Sequence, residues 1–175
     1  QITPKGVWLD GKAIALDNDR NGKSLLTTIY KEHVDDYPKY YKMDGLCRLG
    51  FIASELLLKT EKKDNVNLDL DRERAIMLFN RSSSISSDKR YLSSIIDKDN
   101  YFPSPSVFVY TLPNIVTGEI AIRNNYHGET SFYILSKKDE EQMQTIIKTA
   151  FVDKNTKSIL TGWLDYEDSE HFEAD

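Results

Sequence analysis

Apolar residues along this chain fall into short continuous runs and into stripes of helical spacing, and the two kinds alternate. Val7-Trp8-Leu9 and Ala13-Ile14-Ala15-Leu16 flank Asp10-Gly11, a pair that favours a tight turn, so a small hairpin is predicted. Ser24 to Tyr30 predicts a short helix. Tyr37-Pro38 ends it, because the residue before proline is driven out of the α region. Lys39 to Lys59 carries the strongest helical pattern: Met43, Leu46, Cys47, Gly50, Phe51 and Ser54 share a face, and Leu49, Ile52, Ala53, Leu56 and Leu57 widen it. So broad a stripe predicts burial on more than one side.

Ala75-Ile76-Met77-Leu78-Phe79, bounded by charges and by Asn80, reads as a central strand. A serine-rich stretch, Ser82 to Ser87, leads to a predicted helix over Asp88 to Ile96. Val107-Phe108-Val109-Tyr110 reads as extended. Asn114 to Asn124 predicts a helix with Ile115, Gly118, Glu119 and Ile122 on one face and Pro113 near its first turn. After the His127-Gly128 turn, Ser131 to Leu135 predicts a strand. Lys138 to Val152 predicts an amphipathic helix with Met143, Ile146, Ile147, Ala150 and Phe151 on its apolar stripe, and Ser158 to Leu164 a further strand. Strands alternating with helices, with no internal repeat, predict an α/β layer fold.

The chain has 175 residues, 39% of them hydrophobic, which suits one core. No window approaches the roughly 18 uninterrupted apolar residues of a membrane span. The net charge is −5, but Asp165 to Asp175 holds six acids and no Lys or Arg; the 23 basic residues against the remaining 22 acids leave a body of +1. A near-neutral body offers no broad basic face to nucleic acid. The chain therefore divides into a domain over residues 1–165 and an acidic tail over 166–175, expected to be solvated and frayed. A lone Cys47 forbids an internal disulfide and fits a reducing, cytoplasmic setting.

Candidate chemistry is sparse. Asp17-Asn18-Asp19-Arg20-Asn21-Gly22 matches the opening of a calcium-binding EF-hand loop, but its twelfth position, Thr28, cannot supply the closing bidentate carboxylate, so a polar turn is expected. Cys47 sits on an apolar stripe, where a thiol behaves as a small hydrophobe. The serines from Ser82 to Ser87 follow a strand. They could line a site at its carboxyl end or serve as caps, and no Gly-x-Ser-x-Gly elbow accompanies them. His33, His127 and His171 lie in turn or tail contexts without metal-ligand spacing. There is no glycine-rich phosphate loop, and no cofactor is implied.

The stretch from Phe102 to Ile122, with Asn114, Gly118 and Ala121, followed by Tyr126-His127-Gly128-Glu129-Thr130, resembles the β-ketoacyl synthases. These are thiolase-like enzymes in which such a segment precedes the strand that delivers the nucleophilic Cys. Ile2-Thr3-Pro4-Lys5-Gly6 is similar to the turn after that family's first strand, Lys42-Met43-Asp44 to the start of its first long helix, and Leu160 to Leu164 to a strand ending in its glycine-rich turn. The resemblance runs from residue 1 to about 165 and covers the N-terminal half of the family. It implies a truncated thiolase-like α/β fold, a mixed sheet with helices on its faces, and a further strand ahead of Gln1.

Counted from Gly128, the family's Cys falls near Lys137, and the two histidines that complete the family's site come from its other half. Decarboxylative condensation needs a thiolate for acyl transfer and imidazoles for the developing oxyanion. The resemblance thus implies a non-catalytic subunit of chain-length-factor type, similar to the short ketosynthase homologues of bacterial aryl polyene and flexirubin-type pathways. It would support fatty acid or polyketide elongation on acyl carrier protein. Its partner would be a full-length ketosynthase in a heterodimer, or a second copy. The implied interface is the strand ahead of the Cys position: Thr130, Ser131, Phe132, Tyr133, Ile134, Leu135 and Ser136. Tyr110, Leu112 and Ile115 would face the partner's acyl channel. Lys138, Asp139, Glu141, Gln142, Thr145 and Lys148, opposite Met143, Ile147 and Phe151, imply a helix with one face in water. Two other classes remain open: an enzyme of altered acyl-transfer chemistry using Ser82 to Asp88, and a homodimeric module that binds acyl carrier protein.

Overall fold

The computed structural model describes residues 1–16, 24–64, 72–152 and 155–175. The EF-hand-like segment, Asp17 to Gly22, lies outside the described residues. Seven strands form one sheet in the order β3-β2-β1-β7-β6-β4-β5. They are β1 (Ile2–Thr3), β2 (Gly6–Leu9), β3 (Lys12–Ala13), β4 (Ala75–Asn80), β5 (Thr130–Ile134), β6 (Ile159–Tyr166) and β7 (Phe172–Ala174). β5, β4 and β6 run parallel, while β7 is antiparallel to both of its neighbours, β6 and β1. Asp10 and Gly11 both take positive φ, 49° and 72°, which gives β2 and β3 the left-handed two-residue turn that matches strand twist.

The period-two alternation of the strands separates two cores. Ile76 and Leu78 of β4, Leu160 and Leu164 of β6 and Phe132 of β5 point into the larger one. It is completed by α1 (Leu25–His33), α2 (Gly45–Asp64) and α5 (Ile115–Asn124), which pack on one another and on the sheet. Met77 and Phe79 of β4, Trp163 of β6 and Tyr133 of β5 point the other way, under α6 (Glu140–Ala150). α6 buries Ala150 fully and Met143, Ile146 and Ile147 in part, and its other side is exposed. The one-faced helix expected from the sequence is present. Phe151, expected on the buried stripe, is instead 47% exposed just beyond the last turn. Among the described residues no helix is long and apolar enough to cross a membrane.

Several elements differ from expectation. The helix predicted from Lys39 is divided: Pro38–Lys42 forms a 3-10 turn, and α2 starts at Gly45 because the Asp44 carboxylate accepts the Cys47 N–H at 2.8 Å. The short helix α3 (Ile85–Ser93) begins three residues before the predicted Asp88. Val107 to Tyr110 is not extended. Ser104 caps and Pro105 opens α4 (Pro105–Val109), so a favourable helix start overrides the strand propensity of the β-branched and aromatic residues after it. In α5 the buried face is Val116, Thr117, Glu119 and Ile120, and Ile122 is 67% exposed.

The acidic tail is not frayed. Phe172 and Ala174 are buried, β7 lies between β1 and β6, and Lys138 pairs with the carboxylates of Glu173 and Asp175. Alternation of apolar and acidic residues lets the strand bury one side while its charges reach a cation.

Candidate functional site

The parallel strands β4, β5 and β6 deliver their carboxyl ends to one edge of the sheet, the usual place for a site in α/β folds. Three segments meet there: the serine loop after β4, the turn from β5 into α6, and the end of β6. Gly128 sets β5 in place. A Cβ there would lie 2.5 Å from the Arg74 carbonyl oxygen, so only glycine allows the turn to close on the chain entering β4.

The serine loop is clamped by side chains. Asn80, fully buried, donates to the Ser83 carbonyl at 2.9 Å and accepts the Ser83 N–H at 3.1 Å, which fixes Ser83 at a φ of 51°. Asp165 of β6 accepts the backbone N–H groups of Arg81 and Ser82 at 3.2 and 2.9 Å. The Ser82 hydroxyl lies 3.2 Å from Asp165 Oδ2 and 3.1 Å from Glu167 Oε1. Arg81 reaches Glu167 at 2.7 Å, and this ion pair, with the Ser82 hydroxyl, holds the Glu167 carboxyl below its ordinary pKa. Ser84 donates to the Thr111 carbonyl at 2.7 Å, and Ser87 to Asp44 Oδ2 at 2.6 Å. These hydroxyls tie loops together, and among the described residues none meets an imidazole. Asp165 and Glu167 are the residues that the sequence did not reveal. They lie some 80 positions from the serines, and only the β4–β6 pairing brings them together.

The histidines are dispersed. His33 closes α1, where its carbonyl accepts from Lys59. His127 hydrogen-bonds Asn125 at 3.1 Å, and His171 Nδ1 lies 2.9 Å from Asp168 in the β6–β7 turn. Among the described residues no group of three or more His, Cys, Asp or Glu could hold a metal ion.

Cys47 is 3% exposed, and burial pushes its thiol well above the ordinary value, with the Asp44 charge adding to the effect. Alkylation proceeds through the thiolate. Iodoacetamide at about pH 8 is therefore expected to leave the native protein unmodified and to add one carbamidomethyl group after denaturation, as read by intact mass.

Lys137 stands in the turn between β5 and α6. Its side chain is 76% exposed and lies 3.8 Å from Asp139, the residue that caps α6 by accepting the Gln142 N–H. Of the proposed interface residues, β5 is the free last strand of the sheet. Ile134 is 55% exposed, Tyr133 stacks on Phe79 at 5.3 Å, and Leu135 is buried in the smaller core. Tyr110 and Ile115 are partly buried against the larger core, and burial pushes the Tyr110 hydroxyl up to about 12. Leu112 is exposed.

A seven-stranded mixed sheet, parallel over β5, β4 and β6 and antiparallel from β6 through to β3, with helices on both faces, can be compared with solved structures. Similarity is found to a ketosynthase, ApeO, in complex with its chain length factor, ApeC, from Xenorhabdus doucetiae, at a TM-score of 0.55 and 15% identity, covering 75% of this chain and 50% of that one. The fold is ketosynthase-like. The chain spans about half the length of the solved chain it matches. No protein-family model and no curated protein matches it.

The ketosynthase-like fold also carries an apolar surface that the sequence pattern hides. Leu92, Ile96, Tyr101, Phe102, Phe108, Val109 and Leu112 are all exposed on or beside α3 and α4. Phe102 hydrogen-bonds the Ser94 carbonyl at 2.9 Å and Phe108 packs on Tyr91 at 5.3 Å, so these residues belong to one region. Large exposed apolar patches mark interaction sites.

Proposed function

We propose that this chain is the non-catalytic, chain-length-factor-type member of a ketosynthase pair, acting in carrier-protein-dependent elongation of a fatty acid, polyketide or aryl polyene chain. Lys137 carries the reading: the position where the resemblance places a nucleophilic thiolate holds an exposed lysine beside Asp139. A lysine there supplies no thiolate for the acyl transfer from a thioester. The solved neighbour, a ketosynthase bound to its chain length factor, supports pairing with a catalytic homologue. In this reading β5 adds its free edge to a strand of the partner from Thr130 to Ser136, with Ile134 as an exposed apolar contact. Tyr110, Leu112 and Ile115 approach the partner's acyl channel, and the surrounding patch of α3 and α4 supplies further apolar contact.

The test is reconstituted elongation on acyl carrier protein with a ketosynthase from the same genome. Elongation, or a defined product length, is expected only when both proteins are present. Lys137→Ala is expected to behave as wild type, because the side chain touches no reacting group. Identical products with and without this chain would refute the proposal.

A further inference from the structure

A cleft of about 450 Å³ opens on the α2 side of the sheet, and none of its lining residues belongs to β5, the Lys137 turn or α6. Three helices begin at its wall: α1 through Leu25, α2 through Gly45 and α3 through Ser86. Arg48 and Arg90 line the same space. Arg48 is held in position by donating to the Tyr41 carbonyl at 2.8 Å and by lying over the Tyr40 ring, 5.4 Å from its centre. Among the described residues neither arginine is in an ion pair; Arg48 spends Nε and Nη2 on the Tyr40 and Tyr41 carbonyls, which leaves its Nη1 and the guanidinium of Arg90 to meet a ligand. Asp44 also borders the cleft, but both of its oxygens are engaged, one by the Cys47 N–H and one by the Ser87 hydroxyl.

We propose that this cleft binds a small molecule through a phosphoryl group, held by Arg48 and Arg90. Guanidinium forks match phosphate oxygens and hold them with charge-assisted hydrogen bonds. The starts of α1 and α3 border the same cleft as the two arginines and bring their positive dipole ends to it, while the start of α2 is already capped by Asp44. The volume lies within the range of small-molecule sites and exceeds what a bare phosphate fills, so an organic portion is accommodated. Glu170 and Ser169 line the same cleft from the β6–β7 turn and suit hydroxyl or amino groups on that portion. The site is independent of the pairing proposed above and holds whether or not the chain meets a ketosynthase.

Calorimetric titration of the full chain with sn-glycerol 3-phosphate, beside glycerol, tests it. Saturable one-to-one binding of the phosphate ester and none of glycerol is expected. Arg90→Gln removes an exposed guanidinium that has no structural partner among the described residues; it should weaken binding by about tenfold or more while leaving the ligand-free melting temperature unchanged. Absence of saturable binding, equal binding of glycerol, or undiminished affinity in Arg90→Gln would overturn the assignment.

Discussion

If the chain pairs as proposed, replacing Ile134 with lysine is expected to abolish association with a ketosynthase while leaving the fold intact. Ile134 is 55% exposed on the last strand of the sheet, so a lysine there stays in water in the free protein and costs at most about 0.5 kcal/mol of stability. In a complex that adds a strand to β5, the same ammonium is carried into an apolar contact without a carboxylate. Leaving one charge buried and unpaired costs about 3 kcal/mol or more, a loss of at least about a hundredfold in affinity. Lysines on edge strands also act as natural guards against strand addition. Titration calorimetry with the partner, together with a urea unfolding curve, separates the two effects. Wild-type affinity in the variant would place the partner on another surface.

Phe79→Ala carries the largest expected cost to the fold itself. Phe79 is fully buried, belongs to the core beneath α6 with Met77 and Trp163, and stacks on Tyr133 of β5. Truncating a buried phenylalanine costs about 3–5 kcal/mol from lost transfer energy and the cavity left behind. For a chain of this size the melting temperature falls by roughly 10 °C. Because the ring also braces Tyr133, amide exchange along β5 should accelerate more than in β7, which is held between β6 and β1 in the middle of the sheet. A loss below about 1 kcal/mol would mean that the α6 layer is not packed as described.

The elements that were legible in the sequence are those whose pattern is local. Ala75 to Phe79 is an uninterrupted apolar run between polar residues, and it is the most deeply buried strand. The tail misleads when charge is weighed without period: the five acids from Glu167 to Asp175 suggest solvation, yet Phe172, Glu173 and Ala174 alternate as a strand does. The segment at Val107 misled in the opposite way. Its residue types favour a strand, but Ser104 and Pro105 form a helix start, and the local cap prevails over four residues of propensity.

The candidate site was less legible because its contacts are distant in sequence. Nothing near Ser82 reveals that Asp165 and Glu167 hold it. Nor does the helical stripe around Cys47 show that Arg48, one position along, leaves the core to face a cleft shared with Arg90. The exposed surface formed by Phe102, Phe108 and Leu112 was hidden for the same reason, since apolar residues are counted as core until the packing shows which of them have no cover.

Native mass spectrometry of the chain co-expressed with a ketosynthase from the same genome tests the proposed pairing most directly. The account expects a one-to-one complex that is lost with Ile134→Lys and retained with Lys137→Ala. Only separate species, or the chain pairing with itself in the presence of every such ketosynthase, would contradict it.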